Sequence, residues 1–222
     1  MKTKKTMRSK WALLLLVVLA FIIAGCGGNG KATTTSAGDV KATREAPLPE
    51  NNANEEKRGE AMEGKTVIEI TMESGGVIAV ELDANAAPVS VANFLKLIDE
   101  EFYDGLTFHR IIKNFMIQGG CPDGTGMGGP KERIKGEFAA NGWDNPISHT
   151  KGVISMARSG DPNSAGSQFF ITNTDATFLD GDYAAFGHVI SGIEVVDEIS
   201  AVTTGAGDRP NDPVVIKTIR RQ

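Results

Sequence analysis

From Thr66 onward the chain is cut into short β-rich runs by turn residues, and that punctuation limits its fold more than any other feature. Val67, Ile68 and Ile70 form one run, and Val77, Ile78, Val80 and Leu82 form a second. Ser74-Gly75-Gly76 lies between them, which is a hairpin signal. Pro88 then opens a stretch with apolar residues at Val91, Phe94, Leu95 and Ile98. The i, i+3, i+4, i+7 spacing predicts an amphipathic helix with proline near its first turn. Further β-rich runs follow at Leu106–Ile112, Met116–Gln118, Val153–Met156, Gln168–Thr172 and Ala185–Val189. A second helix is predicted over Gly192–Ser200 and a closing strand over Val214–Thr218. The 26 glycines in the chain give such a fold its tight turns. Many short strands with only two helices predict a mainly β domain over residues 65–222, either a closed antiparallel barrel or a sandwich.

The residues before it are of another kind. Lys2, Lys4, Lys5, Arg8 and Lys10 precede an uncharged apolar run from Trp11 to Ala24. That run falls short of the roughly 20 residues a spanning helix needs, and suits the core of a signal peptide over residues 1–25. It ends Ile23-Ala24-Gly25-Cys26 and is followed by Gly27-Gly28. The arrangement resembles a bacterial lipoprotein signal. An ordinary signal peptide, or an uncleaved anchor with an incidental cysteine, would export the domain equally well. The resemblance implies a mature chain that begins at Cys26, carries diacylglycerol on that thiol and holds to the membrane through acyl chains such as palmitate. The protein would then sit outside the cytoplasm, on the cell membrane or on an outer membrane where one exists. Residues 27–64 have few large apolar side chains, too few to offset the entropy of ordering. They read as a tether with a reach of roughly 35 Å.

Charge and motif content narrow the chemistry. Beyond residue 25 there are 18 basic and 28 acidic residues, a net charge of −10. An acidic body without a basic stripe argues against nucleic acid as a partner. The glycine-rich stretch Gly119–Gly129 is not followed by a lysine–serine pair or a predicted helix, so it reads as turns and not a phosphate loop. His109, His149 and His188 are not spaced as metal ligands, and no Gly-x-Ser-x-Gly elbow occurs. Neither a metal nor a cofactor is expected. Cys121 is expected to be an unpaired structural thiol.

Three longer stretches carry more information: Phe108 to Gly120 (FHRIIKNFMIQGG), Gly152 to Arg158 (GVISMAR) and Gly166 to Thr172 (GSQFFIT). With Phe178-Leu179-Asp180-Gly181 and Phe186-Gly187-His188-Val189, they closely resemble the cyclophilin family of peptidyl-prolyl isomerases, in order and spacing, over about residues 65–221. The resemblance implies a closed eight-stranded antiparallel barrel capped by two helices, with a groove on its outer face and proline-containing polypeptides as clients. It places the catalytic arginine at Arg110. The proline pocket falls on Phe115, Met116, Phe170 and Leu179, while Gln118 and Gln168 would hold the substrate backbone and the arginine. Ala157 and Arg158 would flank the residue before proline, with Arg158 where many relatives carry asparagine.

Two departures bear on binding. Phe178 stands where many relatives have tryptophan, and it lacks the indole donor, so cyclosporin binding is expected to be weakened. Tyr183 stands where relatives often have histidine, and it keeps an aromatic wall for substrate. His109 is expected to be buried and hydrogen-bonded, without an acid–base role. The expected product is a monomeric isomerase acting on X-Pro bonds of exported proteins. The other readings are a tethered module that only captures proline segments and a structural lipoprotein of the envelope. A complete arginine–glutamine–phenylalanine set favours the enzyme, since capture alone does not require the arginine.

Overall fold

The computed structural model describes residues 64–222; Cys26, the apolar run before it and the tether lie outside the described residues. Strands β1 (Lys65–Met72) and β2 (Val77–Asp83) form the hairpin, closed by hydrogen bonds from Met72 N to Gly76 O and from Gly75 N to Met72 O. Helix α1 (Pro88–Asp99) follows, then β3 (Arg110–Ile112), β4 (Met116–Gly119), β5 (Val153–Met156), β6 (Phe169–Thr172) and β7 (Ala185–Ser191). Helix α2 (Ile193–Ser200) and strand β8 (Ile216–Arg221) complete the domain. All the pairings are antiparallel, in the order β3-β4-β6-β5-β7-β2-β1-β8.

The expected closed barrel is instead a curled half-barrel, because the ladder does not continue from β8 to β3. One isolated bridge, Thr107 to Val215, spans the seam with hydrogen bonds from Gly105 N to Ile216 O, Ile216 N to Leu106 O and Phe108 N to Val214 O. Pro210 and Pro213 precede β8 and have no N–H to give a ladder. The last strand starts at Ile216, two residues later than the run at Val214 suggests.

Period-two alternation assigns each strand two faces. Ile68, Ile70 and Met72 of β1 and Ile78, Val80 and Leu82 of β2 turn inward and are buried. Val91, Phe94, Leu95 and Ile98 of α1 cover them, as their spacing requires. At the centre, Phe94 packs edge-on to Phe169 at 5.3 Å and lies 4.9 Å from Tyr103, whose hydroxyl donates to Ser167 O at 3.0 Å.

Helix α1 has no side-chain cap of its own, since Ala87 holds the N-cap position. The buried Glu137 carboxylate supplies it from another segment, accepting from Val89 N at 2.9 Å, Ser90 N at 2.8 Å and Ser90 Oγ at 2.7 Å. A cap of this kind contributes about 1–2 kcal/mol. It also fixes the chain that continues into Phe138, which supports one wall of the site.

Candidate active site

On the outer face of β4 and β6 a second, smaller apolar cluster forms from Met116, Phe170, Ala176 and Leu179. Their sequence neighbours Ile117, Phe169 and Ile171 belong to the main core, so alternation alone divides the two clusters. Register then sets Arg110 opposite Gln118, Gln118 opposite Phe170, and Phe170 opposite Ser155. Residues directly opposite in antiparallel strands are near neighbours on one face. One row thus carries a cation, an amide and an aromatic ring.

The row borders an open cavity of about 310 Å³. Arg110, Phe115, Met116, Gln118, Ala157, Arg158, Phe170, Leu179 and Tyr183 line it, residues that lie far apart in sequence. Phe115 comes from the β3–β4 turn, where Asn114 adopts φ 58°, a left-handed conformation that asparagine tolerates. Leu179 comes from a single 3-10 turn, Thr177–Leu179, which turns it inward. Tyr183 meets Phe170 edge-on at 5.7 Å.

Two of the residues expected to meet substrate stand beside this wall and not in it. Phe178 is 71% exposed and lies outside the cavity lining, with its ring 5.5 Å from that of Phe115 at the rim. The same 3-10 turn that buries Leu179 turns its neighbour outward. Gln168 is also absent from this wall. Its Nε2 donates to Gly126 O at 3.0 Å and Gly128 O at 2.9 Å, and its Oε1 accepts from Gln118 Nε2 at 3.0 Å. It braces Gln118 and the glycine-rich loop.

That brace turns Gln118 Oε1 toward the guanidinium, which donates from Nη1 at 3.4 Å. Arg110 Nε also faces Asp208 Oδ2 at 3.4 Å, with the side chains 43% and 46% exposed. Both contacts exceed the 2.7–2.9 Å of a strong charge-assisted bond, and a pair so exposed holds weakly. The guanidinium is oriented but not locked away. Arg158 is fixed more firmly: Nε donates to Asp182 O and Nη1 to Ser159 O, each at 2.9 Å. Its guanidinium lies 4.7 Å from the Tyr183 ring centre and 5.1 Å from that of Phe138. Sequence pattern did not single out Asp208 or Arg209, which reach the site from the irregular segment before β8.

Below Phe170 an array built on the buried His149 and Ser155 supports the wall. His149 stacks on the Phe170 ring, places Nδ1 2.8 Å from Asp180 Oδ1, and accepts at Nε2 from Ser155 Oγ at 3.1 Å. Burial pushes the His149 pKa down despite the aspartate, so the ring is neutral in the fold, with its Nδ1 proton on the Asp180 side. His109 is buried as expected; its ring nitrogens make no hydrogen bond of ordinary geometry among the described residues, and the Thr107 backbone beside it offsets only part of the burial. Burial, with Arg209 and Arg110 close by, pushes its pKa down as well.

Nothing in the site is an activated nucleophile. Ser155 is fully buried, and Cys121 is a buried free thiol whose Sγ lies 2.9 Å from Asp123 Oδ1. Hydrogen bonds from Cys121 and Thr125 hold Asp123 down to about 2 and tie the loop together. No group of three potential metal-ligating side chains occurs among the described residues. The arrangement can grip an apolar ring and present a permanent cation beside it.

Comparison with known proteins agrees with this geometry. The family model for cyclophilin type peptidyl-prolyl cis-trans isomerase/CLD matches residues 67–221. Peptidyl-prolyl cis-trans isomerase B of Bacillus subtilis is 49% identical over 129 residues, covering 58% of this chain and 87% of that protein. A peptidyl-prolyl cis-trans isomerase of Helicobacter pylori is 47% identical over 137 residues, covering 61% and 81%. The crystal structure of a Cryptosporidium parvum cyclophilin type isomerase superposes with a TM-score of 0.66 at 32% identity, covering 72% of this chain and 98% of that one. A second structure of that protein, in the presence of the dipeptide Ala-Pro, gives 0.65 at the same identity and covers 70% and 98%.

The two downshifted histidines set a pH dependence of stability. In the unfolded chain each takes up a proton near pH 6.5, whereas in the fold burial holds that uptake to a lower pH. Below that pH the unfolded state binds more protons, so stability falls as pH drops. The urea midpoint should be lower at about pH 5 than at about pH 7.5, and His109→Phe should shrink the difference. An unchanged midpoint would contradict neutral burial.

Proposed function

The chain belongs to the cyclophilin family of peptidyl-prolyl cis-trans isomerases and is therefore an enzyme that needs no cofactor; from that premise we propose that Arg110 carries its catalysis and that its clients are exported polypeptides. The observation that supports the first part most is the shared wall: an oriented but unlocked guanidinium borders the same cavity as Met116, Phe170 and Leu179.

The reaction breaks no covalent bond. Its barrier is the roughly 18–20 kcal/mol of amide resonance lost when the bond twists. In either planar form the imide nitrogen has no lone pair to offer. Midway through rotation it becomes pyramidal and regains one. A donor aimed there binds the twisted form alone, and only such differential binding lowers the barrier. Arginine suits the role because it stays charged, has fixed donor directions and need not give up its proton. The proline ring would sit in the apolar recess while the acyl side turns past Ala157. The dipeptide Ala-Pro, in whose presence the Cryptosporidium parvum protein was solved, carries the kind of bond such a recess would take. Gln118 would hold the arginine and the substrate backbone, with Gln168 bracing it from behind. Phe178 and Tyr183 would border the bound chain at the rim. Because the exposed Phe178 ring has no N–H, cyclosporin should bind weakly.

Location outside the cytoplasm is supported by the basic start, the apolar run and the Gly25-Cys26 junction. The domain would be tethered to the membrane through lipidated Cys26. Replacing Cys26 by alanine should abolish palmitate labelling and release the protein from the membrane fraction; retained label would exclude that cysteine as the anchor.

Arg110→Ala should lower kcat/KM on a proline peptide by about 10²–10³, the loss typical of one preorganised donor, with an unchanged circular dichroism spectrum. Since no acting group titrates near neutrality, the wild-type profile should be flat between about pH 6 and pH 8. Near-normal turnover of the variant would refute the role given to Arg110.

A further inference from the structure

The cavity beside Arg110 adjoins a second one of about 450 Å³, with Gln118, Gly126, Met127, Ala157 and Arg158 in both walls. Arg133 belongs to the second cavity alone. Its guanidinium lies over two glycines: a Cβ on Gly129 would come within 2.9 Å of Nη1, and one on Gly166 would overlap it. Any larger residue at either position would push the guanidinium out of this place.

Arg133 is also electrostatically idle. Arg110 faces Asp208, Arg158 donates to Asp182 O, Arg209 to Gly124 O, Arg220 to Asp104 and Arg221 to Asp99. Alone among the described arginines, Arg133 has no hydrogen-bond or ion-pair partner among the described residues. No aspartate or glutamate lines either cavity among the described residues. Yet residues 65–222 hold 21 acidic against 13 basic residues. Of the nearby carboxylates, Glu132 pairs with Lys96 and Asp208 with Arg110, while Asp123, bonded to Thr125 and Cys121, stays ionised beside Gly128 and is outnumbered by Arg133 and Arg158. A positive basin on an acidic domain attracts negative charge selectively.

We propose that this second cavity selects clients with an acidic side chain two or three residues before the proline, Arg133 being the partner of that carboxylate. The inference rests on the reading that Ala157 and Arg158 flank the residue before proline. A client leaving the recess past Arg158 advances about 3.3–3.6 Å per residue, which brings its next residues over the second cavity. A guanidinium fork matches a carboxylate with two parallel hydrogen bonds.

The test uses the full chain and proline peptides that differ only in carrying Glu, Gln or Lys at the second or third residue before proline. At low salt kcat/KM should be about three- to fivefold higher for Glu than for Gln, the size an exposed ion pair allows, with Lys lowest. In about 0.5 M salt, where the screening length drops to roughly 4 Å, the preference should vanish. Arg133→Glu should reverse the order, placing Lys above Glu. Equal turnover of the three peptides by the unaltered protein at low salt would overturn the proposal, as would an undiminished Glu preference in Arg133→Glu. Failure to turn over any of the peptides would instead sink the isomerase reading of the groove on which it stands.

Discussion

The β4–β6 pair has to serve two environments at once, because neighbouring residues of a strand point to opposite faces. Ile117, Phe169 and Ile171 fill the main core, while Met116, Gln118 and Phe170 face the groove. A slip of one residue in either strand would exchange the two sets. Core packing around Phe94, Tyr103 and Phe169 therefore fixes the register. That register in turn stands Arg110 beside Gln118 and Gln118 beside Phe170. The geometry of the site is a consequence of the hydrophobic core behind it.

Around that row the polar groups are arranged to orient without sequestering. Gln168 commits its amide to the loop carbonyls of Gly126 and Gly128 and to Gln118, which leaves the Gln118 carbonyl for the arginine. The Asp180–His149–Ser155 array lies beneath Phe170 and satisfies a buried imidazole without making a nucleophile. The weak, exposed pairing of Arg110 with Asp208 steadies the guanidinium at small cost to its availability. A site that only has to bind a twisted bond needs such a rigid frame and no titrating group.

How much of this could be read in the sequence depended on whether the signal was local. The Ser74-Gly75-Gly76 hairpin and the Val91-Phe94-Leu95-Ile98 helix are local patterns, and both appear where expected. The groove is not local. Its residues run from Arg110 to Tyr183 and meet only through pairing, so composition and period could not find them; only the resemblance to a family's order and spacing put them forward. Where a side chain turns is decided by a single 3-10 turn or an amide network, which is why the sequence does not show that Phe178 stands at the rim and that Gln168 faces the loop and the adjoining cavity. The seam between β3 and β8 depends on prolines and an irregular segment, and periodicity alone gave no reason to expect an open ladder there. Asp208 and Arg209 carry no pattern at all.

The role proposed for Arg110 requires its guanidinium to favour a nitrogen lone pair that exists only while the bond is twisted. Exchange spectroscopy on a proline peptide bound to the protein separates the affinity for the planar forms from the rate of their interconversion on the enzyme. Replacing Arg110 by alanine should slow that bound-state interconversion by about two to three orders of magnitude, while the Kd of the peptide moves only a few-fold. A Kd that weakens as much as the rate falls would mean that the arginine holds the ground state, which contradicts that role.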